Sequence, residues 1–178
     1  IYQLAGLLMP GITIVIDPII ALMEDQEEGL FQYGIDRIVT LSSNQASLRS
    51  DIKRTKNGEF QFIFQSPERL QTPEYREALS GLALTSLVNL AVIDEAHCVS
   101  EWGHDFRTSY LNIGRISRDV CSTRGFTPPL LALTGTASHA VLRDVQRELK
   151  IQEFDAIITP STFDRAEIDF SVFEADPD

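Results

Sequence analysis

Residues Leu87 to His97 read LVNLAVIDEAH, an apolar run that ends in two adjacent carboxylates and a histidine. A parallel strand buried on both faces reads as a nearly continuous apolar run, because neither side meets water. In open α/β sheets, ligands gather outside the carboxyl ends of such strands. Asp94 and Glu95 therefore stand where a site is expected. Two acids there suit a magnesium-nucleotide centre, since Mg²⁺ is usually held by one or two carboxylates together with phosphate oxygens and water. The pair divides naturally into Asp94 for the metal and Glu95 for the attacking water. The structural alternative is that Asp94 caps the next turn and Glu95 is solvated.

Working outward, the same pattern repeats. Residues 13–16 are β-branched and bounded by Pro10-Gly11 and Asp17-Pro18, which predicts a buried strand and its exit turn. Ile20, Ala21, Met23, Leu30 and Phe31 keep helical spacing up to Gly34, a C-capping glycine. A strand follows over 37–41, then Ser42-Ser43-Asn44 offers caps for a polar helix over 45–56 that Asn57-Gly58 ends. Residues 60–65 form a third strand that runs into Ser66-Pro67-Glu68-Arg69-Leu70, and Thr72-Pro73 opens another helix. After the fourth strand, 87–93, come a helix over 110–120, a fifth strand over 130–133, a helix from Ser138 to Leu149 and a sixth strand over 156–159.

Strands alternating with helices across short loops predict an α/β fold: a mostly parallel sheet with helices on both faces. Four strands end in small or polar clusters: Asp17-Pro18, Ser66-Pro67-Glu68, Asp94-Glu95 and Thr134-Gly135-Thr136. Those clusters are expected to line one edge of the sheet, giving a site built from several strand ends.

Composition bounds the rest. At 178 residues with 43% apolar and 23% charged side chains, the chain is the size and type of about one soluble domain. No stretch has the length of a membrane span, and IYQLAGLLMPG lacks the basic start of a secretory signal, so no membrane partner is expected and the location is cytoplasmic (a bacterial-type nucleoid) or nuclear. Two cysteines, Cys98 and Cys121, supply neither a disulfide framework nor a zinc spacing, so no zinc is expected. The net charge of −11 opposes nucleic acid binding by the chain as a whole, because attraction to a phosphate backbone is largely electrostatic. Local positive charge remains at Lys53, Arg54 and Lys56, and at Arg107, Arg115, Arg118 and Arg124.

Four strings carry a resemblance. IDPIIALMEDQ (16–26), SPERL (66–70), VIDEAHCVSEWGHDFRTSY (92–110) and LALTGTAS (131–138) resemble, in order and spacing, motifs Ia, Ib, II, the aromatic-rich loop and motif III of RecQ-type DNA helicases. The second half of the third string is the specific part, since many superfamily-two helicases carry an Asp-Glu-x-His box but few follow it with Trp-Gly-His-Asp-Phe-Arg. Ser161-Thr162-Phe163-Asp164-Arg165 resembles the exit from the first RecA-like domain. The resemblance implies a RecA-like domain of P-loop NTPase type over 1–160 and a connection to a second RecA-like domain over 161–178. It implies ATP and Mg²⁺ as cofactors and DNA as partner, both single strands and duplex junctions.

Roles follow by position. Asp94 would hold Mg²⁺ through water, and Glu95 would orient or deprotonate the water attacking the γ-phosphate. His97 would connect that centre to Thr134 and Thr136. Trp102, His104, Phe106 and Arg107 would form a loop that senses single-stranded DNA, a reading that chemistry supports because aromatic faces stack on unpaired bases. Ser66, Pro67, Glu68 and Arg69 would lie near the DNA backbone.

The chain also departs from that pattern. No G-x-x-x-x-G-K-[ST] occurs in it, so the P-loop strand and loop that the family carries just before the segment matching Ile1 are not in these residues, and neither is the family's adenine-reading glutamine motif. Asp17 stands where a serine is usual, Ile19 where a leucine is, Gly135 where an alanine is, and Ala166-Glu167 where Pro-Asn is. Asp17 opposes a phosphate contact, because carboxylate and phosphate repel. The expectation is part of an ATP-dependent DNA helicase, inactive in isolation. The alternatives are another superfamily-two motor, such as an RNA helicase or duplex translocase, or a non-catalytic RecA-like binding domain.

Overall fold

The computed structural model describes residues 1–42, 46–100, 107–123, 125–153, 155–159, 168–169 and 171. Its elements are α1 (Tyr2–Leu8), β1 (Ile12–Ile16), α2 (Ile20–Gln32), β2 (Ile38–Leu41), α3 (Leu48–Lys56), β3 (Phe62–Gln65), α4 (Pro67–Leu70), α5 (Pro73–Thr85), β4 (Val88–Ile93), α6 (Ile113–Cys121), β5 (Leu130–Ala132) and α7 (His139–Glu148). Two 3-10 turns, Ala96–Val99 and Thr108–Tyr110, lie between β4 and α6. The five strands form one sheet in the order β2-β3-β1-β4-β5, and every pairing is parallel.

Alternation along each strand sends side chains to two cores. Ile14, Ile16, Val39, Leu41 and Ile63 face the side covered by α3, α5, α6 and α7, where Ile52, Leu79, Ile116 and Val145 meet them. Val15, Phe62, Phe64 and Val92 face the other side, beneath Tyr2 of α1 and Met23 and Leu30 of α2. Gly6 lets α1 lie close: a Cβ there would stand 2.3 Å from Thr13 Oγ1 and 2.9 Å from the Phe62 ring.

Local rules account for most boundaries. Pro73 takes the first helical position of α5 behind Thr72, Ser138 caps α7 by accepting the Val141 N–H at 3.3 Å, and Gly34 follows α2 in the left-handed region at φ 79°. Three expectations are corrected. Residues 156–159 form no strand: they are exposed and join no strand of the sheet among the described residues. The helix expected from 110 begins at Ile113, because Tyr110 closes a 3-10 turn with its side chain buried and Asn112 turns left-handed at φ 62°. The helix expected from Gln45 begins at Leu48 behind Ser47, whose side chain makes no cap hydrogen bond. Ser43, Asn44 and Gln45 lie outside the described residues. Among the described residues no helix is long and apolar enough to cross a membrane.

Candidate active site at the strand carboxyl ends

Because the strands are parallel, their carboxyl ends share one edge, and the strand order lines up Ser66, Asp17, Asp94 and Thr134 along it. The backbone holds this row in register: the Asp17 N–H donates to the Gln65 carbonyl at 3.1 Å, Asp94 N–H to Ile16 at 2.8 Å, and Leu133 N–H to Ile93 at 2.9 Å.

The turn after β4 is tight. Glu95 adopts φ 47° and ψ 44°, a left-handed conformation that costs a residue with a side chain about 1 kcal/mol or more. Three hydrogen bonds hold it there: Glu95 N–H to Asp94 Oδ1 at 2.9 Å, Ala96 N–H to the Leu133 carbonyl at 2.8 Å, and Cys98 N–H to the Glu95 carbonyl at 2.9 Å. The buried Tyr110 hydroxyl donates to the Asp94 carbonyl at 3.1 Å from the opposite side.

His97 Nδ1 lies 2.9 Å from Thr134 Oγ1 and 3.2 Å from Glu95 Oε2. A carboxylate only accepts, so with its proton on Nδ1 the ring donates to Glu95 and Thr134 together. The Thr136 N–H donates to Thr134 Oγ1 at 3.2 Å, which draws Thr136 into the same network.

Asp17 is fully buried beside this centre. Its Oδ1 accepts the Ile19 N–H at 2.8 Å, and Oδ2 has no hydrogen-bond partner among the described residues. Burial pushes the carboxyl up to about 6, against the Ile19 N–H and with help from the negative Asp94 and Glu95. Burial, with the same Asp94 and Asp17, also raises the Tyr2 hydroxyl.

Ser66 caps the short α4, accepting the Arg69 N–H at 3.3 Å. This corner meets the residues that follow 101–106: the Gln71 amide donates to the Ser109 carbonyl at 3.1 Å, and Glu68 is hydrogen-bonded by Ser109 and Ser66 and faces Arg107. Burial pushes the Glu68 carboxyl up, but its own backbone N–H, these two hydroxyls and the Arg107 charge outweigh it and leave it lowered. The other basic residues largely serve surface ion pairs, Arg54 with Glu59 at 2.8 Å, Lys56 with Glu77 at 3.5 Å and Arg115 with Asp119 at 3.4 Å.

The structure thus brings Asp94, Glu95, His97, Thr134 and Thr136 into one network, and Ser66, Pro67, Glu68, Arg69 and Arg107 into an adjoining corner. Trp102, His104, Phe106 and Arg124 lie outside the described residues. Sequence reasoning gave no role to Tyr110 or Asp144; Tyr110 closes the specific string itself, and Asp144 interrupts the apolar stripe Val141, Val145 of α7. Among the described residues no group of three or more His, Cys, Asp and Glu side chains is arranged to hold a metal. The geometry fits a hard cation held by one carboxylate and water: Asp94 has one oxygen committed to the Glu95 N–H, with its side chain only partly buried.

A parallel sheet covered on both faces, with acids and hydroxyls along its carboxyl edge, defines an open α/β domain, and its likeness to solved helicase domains makes the fold RecA-like. Comparison with known proteins agrees: the DEAD/DEAH box helicase description matches residues 1–145, and the chain belongs to that family. It is similar to the ATP-dependent DNA helicase RecQ of Bacillus subtilis, 37% identical over 177 residues, 98% of this chain and 28% of that protein. It is equally similar, 37% over 173 residues, to the ATP-dependent helicase wrn-1 of Caenorhabditis elegans, covering 96% of this chain and 15% of that protein. The chain therefore spans well under a third of the length of these relatives. Among solved structures, the Pyrococcus furiosus Hef helicase domain matches with TM-score 0.56 at 18% identity over 85% of this chain and 30% of its own. Mss116p bound to ssRNA and AMP-PNP matches with TM-score 0.58 at 17% identity over 83% and 30%, and both show the shared fold.

Proposed function

We propose that these residues form the first RecA-like domain, over 1–160, of a RecQ-type helicase that couples ATP hydrolysis to movement along single-stranded DNA and duplex unwinding. Residues 161–178 lead to the second RecA-like domain. One observation carries the reading: Glu95 is held in a strained turn whose histidine bridges it to Thr134, so the strand-end acid and the arm after β5 form one unit. In that unit Glu95 orients the attacking water and accepts its proton, His97 keeps Glu95 and Thr134 in register, and Asp94 is the residue that would hold Mg²⁺. Magnesium supplies charge neutralisation at the phosphates when bound. Ser66 to Arg69 and Arg107, with Trp102, His104 and Phe106, form the DNA-contacting side, where aromatic stacking works despite the chain's net acidity. A soluble cytoplasmic or nuclear location follows from this role.

The test uses the full-length helicase. Glu95→Gln lowers DNA-stimulated ATP hydrolysis by about 10²-fold or more while single-stranded DNA binding persists. The 178-residue chain, which contains no G-x-x-x-x-G-K-[ST], shows no hydrolysis of its own. Retained turnover in the Glu95→Gln enzyme, or equal stimulation by RNA and DNA of the same sequence, overturns the assignment.

A further inference from the structure

A buried carboxylate outside the strand-end network has a job that packing does not explain. Asp144 is 7% exposed on the inward face of α7, between Val141 and Val145, where an aliphatic side chain would pack at no desolvation cost. Both its oxygens are used: Oδ2 accepts the hydroxyl of the fully buried Ser100 at 2.8 Å, and Oδ1 meets the Arg147 guanidinium at 2.5 Å. Ser100 is the last described residue before 101–106, the segment that holds Trp102, His104 and Phe106.

The contact completes a seam. Ala96 is bound to Leu133 at 2.8 Å, His97 to Thr134 at 2.9 Å and Ser100 to Asp144 at 2.8 Å, so the chain leaving β4 is stitched to the chain leaving β5 along its course. At the far end of 101–106, the Arg107 N–H returns to the Cys98 carbonyl at 3.1 Å. The first two stitches belong to the proposed hydrolytic centre. The third reaches past it to the point where the aromatic segment starts.

We propose that Asp144 is a positioning residue: through Ser100 it ties α7 to the point from which the aromatic segment departs, and so supports the single-strand contact made there. This rests on the reading of that segment as the single-strand contact. A hydrogen bond from a neutral hydroxyl to a buried carboxylate is among the stronger ones, and its geometry fixes both partners. Arg147, whose side chain is 68% exposed, neutralises the carboxylate from the solvent side and is not itself part of the seam.

Trp102 is the single tryptophan of the chain, so its fluorescence reports on this segment alone. The 178-residue chain is compared with Asp144→Ala, Asp144→Asn, Ser100→Ala, the Ser100→Ala/Asp144→Ala double variant and Arg147→Ala. The readouts are iodide quenching of Trp102, oligothymidine binding, and the thermal midpoint. Asp144→Ala and Ser100→Ala are expected to change the quenching constant and to weaken oligothymidine binding by about five- to tenfold each, with the double variant no worse than either, as for partners in one interaction. Asp144→Asn, which keeps an acceptor for Ser100, retains most of the binding, and Arg147→Ala leaves it unchanged. A purely structural Asp144 would lower the thermal midpoint and leave quenching and affinity at wild-type values in the still-folded variants; that result overturns the proposal. If the unsubstituted chain binds no oligothymidine, the single-strand reading fails, and the iodide arm alone decides the tether: altered quenching in Asp144→Ala and Ser100→Ala upholds it, unaltered quenching ends it.

Discussion

The two flanks of β4 are held in place by different means. On one flank β1, β3 and β2 follow, and every residue of these strands is buried. On the other stands β5, three residues long and partly exposed throughout, with one partner strand among the described residues and a cavity of about 240 Å³ beside it that Leu131, Leu133 and Ile157 help to line. Yet the arm beyond β5 carries Thr134 into the same centre that Asp94 and Glu95 occupy. Asp94 is positioned by the burial of its strand; Thr134 is positioned by hydrogen bonds to the turn opposite. A hydrophobic core is stiff and cooperative, whereas a hydrogen-bonded arm at an edge can open by itself. The strand-end acids Asp94 and Glu95 thus continue the firmly packed part of the sheet, and Thr134 stands on the part held chiefly by hydrogen bonds.

Truncation of a side chain on each flank is the strongest way to break this contrast. Ile14 in β1 is 1% exposed and wedged among buried neighbours, so Ile14→Ala should cost about 3–4 kcal/mol of unfolding free energy, from lost transfer energy and the cavity left behind. Leu131→Ala in β5 should cost about 1 kcal/mol, because its side chain already borders open space. Urea unfolding of the two variants measures both. Equal losses would mean that the β5 edge is as firmly packed as the centre.

The next effect tests the cost of the rigid flank. The Asp17 carboxyl holds its proton up to about pH 6 in the folded chain, against about 3.9 for an unstructured aspartate. Between those values the folded state binds more protons than the unfolded state, so stability falls as pH rises and stays lower above 6. The difference is about 3 kcal/mol at full burial. Asp17→Asn keeps an acceptor for the Ile19 N–H and removes the charge that faces Asp94 and Glu95, so it should stabilise the chain at pH 8 by up to that amount and have little effect at pH 4. Denaturation curves at the two pH values check it; a variant that gains nothing at pH 8 would show that the buried carboxylate is solvated in the folded chain.

The contrast between flanks also marks what the sequence made legible. The strands over 13–16 and 87–93 were readable because burial on both faces demands an uninterrupted apolar run, and the strand-end acids were readable because the run stops at them. Residues 156–159 carry the same apolar, β-branched signature, but a strand exists only with a neighbour, and no described residue pairs with them across the cavity beside β5. The left-handed Glu95 was not readable, since a non-glycine residue there is chosen by its surroundings and not by its own preference. Nor was the pairing of Ser100 with Asp144, 44 residues apart: an aspartate on a helix reads as solvated until the partner that buries it is known.

The smallest expected effect bears most directly on how the two flanks communicate. His97 and Thr134 share one partly exposed hydrogen bond, for which about 1 kcal/mol is the usual net contribution. If the arm beyond β5 opens on its own, Thr134→Ala should leave the urea midpoint nearly unchanged, since global unfolding is governed by the buried strands. The loss should appear in hydrogen exchange. The Ala96 amide, bonded to the Leu133 carbonyl across the two flanks, should exchange about fivefold faster, while the Asp94 amide, bonded to Ile16 within the rigid flank, keeps its protection. His97→Ala should produce the same rise at Ala96, and the double variant should add nothing there, because each removes the His97–Thr134 contact. Faster exchange at Asp94 as well would mean that the strand-end acid and the arm open together, and then the bridge through His97 would be part of one rigid body and unable to carry a signal between two.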